Sequence, residues 1–171
     1  MSRPAADGEE QVFLPDAGEF RAVLGQFATG VTIITAVDEG EPVGVAANSF
    51  TSVSLDPPLV LFCVARTSST WPRIEHARKF AVNILGEHQE ELSGLFATKG
   101  VDRFGQTDWH LGVGGSPVLH DTLAYLDCEF WNEYDGGDHV IVVGRVLDLG
   151  LQRDGNPLLF FRGKYGRLAT G

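Results

Sequence analysis

The chain lacks most of the features that settle a protein's class on sight. Its 171 residues include only two cysteines, Cys63 and Cys128, with no Cys-x-x-Cys, and no His/Cys cluster falls at ligand spacing. A structural zinc site is therefore not expected. Both cysteines sit in apolar runs, LVLFCVA and AYLDCEFW, and read as small hydrophobes of strands. The five histidines, His76, His88, His110, His120 and His139, are scattered, with no pair at metal-ligand spacing. No apolar window approaches the roughly 18 residues of a membrane span, and MSRPAADGEEQ at the start has no apolar stretch of the signal-peptide kind. A soluble cytoplasmic protein is the expectation. Basic residues are few: 13 Lys and Arg against 23 Asp and Glu leave a formal charge of -10. That balance argues against nucleic acid or an anionic membrane as partner, since both require clustered cations. A GxSxG elbow, a Walker loop and a GxGxxG between strand and helix are also missing, and no nucleophile comes with a recognisable base.

What is present describes one globular domain. With 43% hydrophobic and 21% charged residues, the composition excludes wholesale disorder and suits a single buried core. Glycine is in excess, 21 residues or about 12% against roughly 7% on average, which points to tight turns or to backbone lying close to a ligand. Residues 1–14 read as a disordered acidic tail and 15–171 as the folded domain. Asp16 can cap a helix carrying Phe20, Val23, Leu24 and Phe27 on one face, with Gly30 as its stop. The β-branched run from Val31 to Thr35, the turn Asp38-Glu39-Gly40-Glu41 and the segment Val43 to Ala46 give a hairpin. Strands are expected over 59–65 and 80–85, and a helix from Trp71 with Ser69 or Thr70 as its cap. A further helix spans 87–98, and 99–115 reads as a glycine-bearing loop. Long strands follow over 123–133 and 139–149, with a last short one over 158–162. About seven strands without strict βαβ alternation favour a mainly antiparallel barrel with flanking helices.

Three features could carry chemistry. The segment Asn48 to Ser54 sets four hydroxyls around one aromatic; it reads either as a solvent-facing strand or as a lining that offers hydroxyls and backbone N–H groups to a flat polar ligand. Ser68-Ser69-Thr70 is either a plain helix cap or a phosphate site at a helix start. His139 follows Gly136-Gly137-Asp138 and should open a strand at a barrel mouth, as a satisfied polar group or at a ligand's entry. Gly112-Val113-Gly114-Gly115 has no strand and helix around it to make it a phosphate loop.

The order TGVTIIT (29–35), GVAANSFTSVSLDPPLVLFCVA (44–65), SST (68–70), FAVNIL (80–85), LFATKGVDRF (95–104) and GDHVIVVGRV (137–146) resembles the short-chain flavin reductases. These are the reductase components of two-component flavin-dependent monooxygenases, and the likeness covers roughly residues 18–167. The resemblance implies a split β-barrel built as a homodimer. Its implied activity is reduction of FMN or FAD with NADH or NADPH and delivery of free reduced flavin to a separate monooxygenase. It also implies that Ala47, Asn48, Ser49, Phe50, Thr51 and Ser52 line the isoalloxazine ring beside Cys63, Val64 and Ala65. Ser69 and Thr70 are placed near the ribityl phosphate, Asn83 and Gln89 near the flavin chain, and Lys99, Arg103 and Phe104 at the phosphate end. His139, at the nicotinamide subsite, is the implied catalytic residue, with Tyr165 close to it; no metal is implied. Direct hydride transfer from nicotinamide to flavin needs no nucleophile, only two rings held in register, which accords with the missing triad. The alternative is a flavoprotein that keeps its flavin and acts as an electron carrier or binding protein.

Overall fold

The Asp16 carboxylate accepts hydrogen bonds from the N–H groups of Gly18 (3.0 Å) and Glu19 (3.3 Å) and so opens helix α1 (Ala17–Leu24). The helix stops at Gly25, ahead of the Gly30 expected to end it: the next two N–H groups, of Gln26 and Phe27, bond three residues back, to the Val23 and Leu24 carbonyls (both 3.1 Å), and no longer four. The computed structural model describes residues 14–169, so the expected tail, apart from Leu14, lies outside the described residues.

The chain continues through β1 (Thr29–Gly30), β2 (Thr32–Asp38), β3 (Glu41–Ala47), β4 (Thr51–Leu55) and β5 (Pro58–Ala65) to α2 (Trp71–Ala77) and β6 (Lys79–Ile84). The helix expected over 87–98 is divided into a single 3-10 turn (Glu87–Gln89) and α3 (Glu90–Ala97). Then come β7 (Trp109–Leu111), β8 (Pro117–Leu119), β9 (Ala124–Gly136), β10 (His139–Leu151), β11 (Leu159–Phe161) and β12 (Lys164–Gly166). The β2–β3 hairpin turns on Glu39 and Gly40, both at positive φ (50° and 80°), a pairing suited to the twist of a two-residue turn.

Seven strands form one antiparallel sheet in the order β3-β2-β6-β9-β10-β5-β4, with helices on its flanks. The sheet does not close, since β3 and β4 are its two free edges. It curls instead: Val43 of β3 packs in the same buried cluster as Val60, Phe62 and Val64 of β5, near the opposite end of the order. Phe62 holds the centre of that cluster, edge-on to Phe80 at 5.2 Å and to Trp71 at 6.2 Å. A second cluster, Val31, Ile33, Leu85, Phe96, Leu119 and Leu158, fills the space under α3.

The glycine-rich run 112–115 wraps a side chain of its own chain. Gly114 N–H donates to Asp127 Oδ2 at 2.6 Å, and a Cβ on Gly112 or Gly114 would lie 2.6 Å from that carboxylate's oxygens. Asp127 is fully buried and its Oδ1 has no hydrogen-bond partner among the described residues; burial pushes its carboxyl above the usual range.

Candidate functional site

The seam between β3 and β5 is held by one side chain. Ser49 Oγ accepts from Cys63 N–H at 2.8 Å and donates to the Cys63 carbonyl at 3.0 Å, tying the exit of β3 to the middle of β5. Beside this staple lies a cavity of about 330 Å³, lined by Val45 to Ser49, by Phe62 to Ala65, and by Ser68 and His139. Its walls are mostly small side chains on extended backbone, the shape a flat ring system fits. β3 is an edge strand, so every second residue turns an unladdered N–H and C=O outward. Gly44 is one such residue, its carbonyl taken by Arg103, and Ala46 presents the next pair toward the seam.

His139 sits at the mouth. It opens β10 directly opposite Ala65, and its Nδ1 lies 2.7 Å from Asp138 Oδ1, which leaves Nε2 as the uncommitted ring nitrogen. The His139 hydrogen bond in turn holds the exposed Asp138 carboxyl below its ordinary range.

Further along β3, Glu41 to Gly44 border a second cavity of about 640 Å³, closed by Ser69, Thr70, Arg73 and the loop from Lys99 to Phe104. The seven residues of β3 connect the two cavities over about 20 Å at a rise of roughly 3.3 Å per residue. Arg103 anchors this end. Its guanidinium donates to the Gly44 carbonyl (2.5 Å), to the Thr98 carbonyl (2.7 and 3.2 Å) and to Thr70 Oγ1 (3.4 Å). All these acceptors are neutral, and burial pulls the group down from its ordinary pKa. Among the described residues no carboxylate pairs with it, and a partly desolvated cation so placed is a place for an anion. Arg73, by contrast, is held by Asp38 (3.1 Å) and Glu41 (3.5 Å), and Asp38 also takes His76 Nδ1 at 2.6 Å. That hydrogen bond holds Asp38 below and His76 above their ordinary values.

The fold thus gathers Ala47, Asn48, Ser49, Cys63, Val64, Ala65 and His139 at the first cavity, and Ser69, Thr70, Lys99, Arg103 and Phe104 at the second. Phe104 stacks edgewise between Phe96 (5.1 Å) and Trp109 (5.8 Å), which stiffens the loop that carries Arg103. Tyr165 borders a smaller cavity of about 230 Å³ that shares Ala46, Ala47 and Asn48 with the first, and its hydroxyl lies 2.8 Å from Ser93 Oγ. The remaining positions stand elsewhere. Phe50 packs on the main core, and Thr51 and Ser52 are exposed on β4, outside both cavities. Asn83 is fully buried: its amide donates to the Ile33 carbonyl and Thr35 Oγ1, both at 3.1 Å, and its Oδ1 accepts from Leu119 N–H at 2.8 Å. Gln89 is buried too, with Oε1 accepting from Gly86 N–H at 3.0 Å. Both amides are committed to the scaffold, and neither lines a cavity described above. The cap of α2 also differs from expectation: neither Ser69 nor Thr70 caps by its side chain, and Ser68 Oγ accepts from Trp71 N–H at 3.2 Å instead.

Sequence reasoning did not single out Phe62 as lining, took Ser68 only with Ser69 and Thr70 as a cap or phosphate site, and did not mark Asp38 as the carboxylate that orients Arg73. The inward parity of the LVLFCVA strand could have flagged Phe62. Nothing local marks Asp38, whose partners lie on α2.

Residues 24–169 match the flavin reductase-like domain family. The chain is 47% identical over 165 residues to the reductase subunit HsaB of a flavin-dependent monooxygenase from Rhodococcus jostii, covering 96% of this chain and 85% of that protein. It is 44% identical over 163 residues to the FMN reductase (NADH) SmoA of Agrobacterium fabrum, with 94% and 92% covered. Among solved structures, the NADH:FAD oxidoreductase SgcE6 of Streptomyces globisporus superposes with a TM-score of 0.86 at 40% identity, covering 91% of this chain and 95% of that one.

Proposed function

We propose, from the premise that this chain belongs to the flavin reductase-like family, that it reduces FMN or FAD with NADH or NADPH and passes free reduced flavin to a separate monooxygenase. The reading rests most directly on Arg103: a guanidinium satisfied only by neutral acceptors, at the end of the groove that β3 lines, fits the phosphate of a flavin nucleotide. The bound flavin supplies the hydride acceptor that no side chain of the chain provides.

The roles of the residues follow from their places. Ala46, Ala47, Cys63 and Ala65 leave room for a flat ring, and the outward N–H and C=O of Ala46 offer hydrogen bonds to its polar edge. Ser49 keeps the seam at fixed width through its two bonds to Cys63. Ser69, Thr70 and Lys99, with Arg103, receive the phosphate end. His139, fixed by Asp138, holds the nicotinamide against the ring; its contribution is orientation, since the hydride does not pass through it. Tyr165 borders the adjoining cavity and limits how far a second ring slides. Asn83 and Gln89 support this site from the scaffold, and Thr51 and Ser52 stand exposed on β4 beside β5.

Residues 15–171 act as one flavin-binding domain, and a second copy of the chain covers α1. That helix exposes Phe20, Val23 and Leu24, and Phe27 just beyond it is 77% exposed. Asn48 borders both the α1 groove and the ring cavity, so a second copy seated there would reach the edge of the site. Among the described residues no helix is long and apolar enough to cross a membrane, and the cytoplasm, where nicotinamide nucleotides are kept reduced, is the compartment we assign. Gel filtration after loading with flavin tests the diffusible-product reading: the protein should lose most of its flavin. Retention of one flavin per chain would favour a fixed prosthetic group.

A further inference from the structure

The cavity that Arg103 anchors is larger than the single phosphate of FMN requires. Its volume of about 640 Å³ falls in the range of roughly 300–1,000 Å³ that pockets give to a whole small ligand. Arg103 reaches β3 at the Gly44 carbonyl, the end of this cavity nearer the ring site. Gly44 is two residues from Ala46 at the ring cavity and three from Glu41 at the far end. At a rise of roughly 3.3 Å per residue, those separations are about 7 Å and about 10 Å. A flavin with its ring at Ala46 and its first phosphate at Arg103 leaves the stretch from Gly44 to Glu41 unfilled.

The lining changes in chemistry along that stretch. Arg103 and Lys99 supply cations, and Asp102, which also borders the cavity, is turned into its own loop, where its Oδ1 accepts from Gly105 N–H at 2.9 Å. At the far end Glu41 opens β3 opposite Asp38. Arg73 of α2 donates to Asp38 Oδ2 (3.1 Å) and to Glu41 Oε2 (3.5 Å), so two carboxylates already balance its charge. A further anion gains little there. Glu41 Oε1 takes no hydrogen bond among the described residues, and Pro42 and Val101 add apolar surface to the cavity wall. A carboxylate oxygen beside apolar surface suits a neutral group with flat faces and hydrogen-bond donors, which is the chemistry of a nucleoside. In dinucleotide sites an acidic side chain takes the adenosine ribose in this way. We infer that the flavin substrate is FAD in preference to FMN: its diphosphate lies at Arg103 and Lys99, and its adenosine fills the far end, where Glu41 accepts from a hydroxyl or amino group. Glu41 is then the residue that selects between the two flavins, a role that presupposes the flavin reduction proposed above. Arg73 positions Glu41 from α2.

NADH carries the same adenosine diphosphate half, so the test has to separate the two sources. Equilibrium dialysis of the purified full chain against oxidised FAD, FMN and ADP reads binding without turnover. Steady-state NADH oxidation with each flavin reads the substrate preference. FAD should bind at least tenfold more tightly than FMN, and ADP should displace it. Glu41→Ala should weaken FAD binding at least fivefold and lower the FAD-to-FMN ratio of kcat/KM by a similar factor, with the KM for NADH within twofold of the parent. Equal binding of the two flavins, or a ratio that Glu41→Ala leaves unchanged, would overturn the selection; reduction of both flavins in that case would still uphold the reductase reading. A raised KM for NADH with FAD binding unchanged would give the far end to the nicotinamide nucleotide and overturn it equally. If neither flavin is reduced, the reductase reading itself fails, and the role of Glu41 with it.

Discussion

Replacing Arg103 by Ala separates anion binding from scaffold support, because flavins with and without a phosphate can be compared on one protein. The side chain bridges the Gly44 and Thr98 carbonyls and Thr70 Oγ1, and among the described residues no carboxylate forms a salt bridge with it. A charge-assisted hydrogen bond to phosphate contributes about 1.5–3 kcal/mol, so its loss should raise the KM for FMN about tenfold to a hundredfold. Riboflavin has the same ring without the phosphate and gains nothing from the guanidinium; its kcat/KM should change by less than about threefold. The assay is steady-state NADH oxidation at varied flavin, with urea unfolding to measure the change in stability alongside. Freed carbonyls at Gly44 and Thr98 can reach solvent, so a stability loss of about 1 kcal/mol is expected. Equal losses for FMN and riboflavin would make Arg103 a purely structural residue and remove the observation on which the reading rests. Unchanged kinetics with both would do so as well.

Three further outcomes follow from the same geometry. His139→Ala should lower the nicotinamide-dependent rate about tenfold or more while flavin affinity stays within twofold; a collapse of flavin affinity with turnover intact would contradict its role. Cys63 lines the ring cavity and Cys128 is buried with its thiol pushed up to about 12, so an alkylating reagent should modify Cys63 first and saturating FMN should slow that reaction at least tenfold. Asp127→Asn tests the buried carboxyl: a raised carboxyl pKa means the fold is favoured while that group is protonated, and the advantage is lost as pH rises through the folded value. The variant should therefore match the parent in acid, below the ordinary carboxyl value of about 3.9, and exceed it in urea unfolding at neutral pH; the same difference at both pH values would refute this.

Local chemistry made much of the fold legible. Asp16 as a cap, Glu39-Gly40 as a turn and the strand runs at 59–65 and 80–85 are decided within a few residues, and the structure has them where that chemistry puts them. What failed was choice among near-equivalents. Spacing cannot rank Ser68, Ser69 and Thr70 as caps, because the answer depends on how the chain turns after β5. Nor can it say whether the lone amide in FAVNIL faces a ligand or the core; Asn83 faces the core because β2 and the β7–β8 hairpin pack against that side of β6. The loop expected over 99–115 conceals the short strand β7 and its pairing with β8. Asp38 gains its meaning only from α2, far along the chain. Among the site residues, those on β3 and β5 were readable as lying on or next to two strands, whereas the meeting of those strands across the seam and the convergence of Arg103, Thr70 and Gly44 required the third dimension.

The most direct test is anaerobic mixing of purified protein with NADH and added FMN or FAD, followed by the absorbance of the oxidised flavin. The account predicts that added flavin is bleached in many-fold excess over protein, in step with NADH consumption, and that neither changes when protein is omitted. If only flavin that co-purifies with the chain is reduced and the added pool stays oxidised, the account of a diffusible-flavin reductase is wrong.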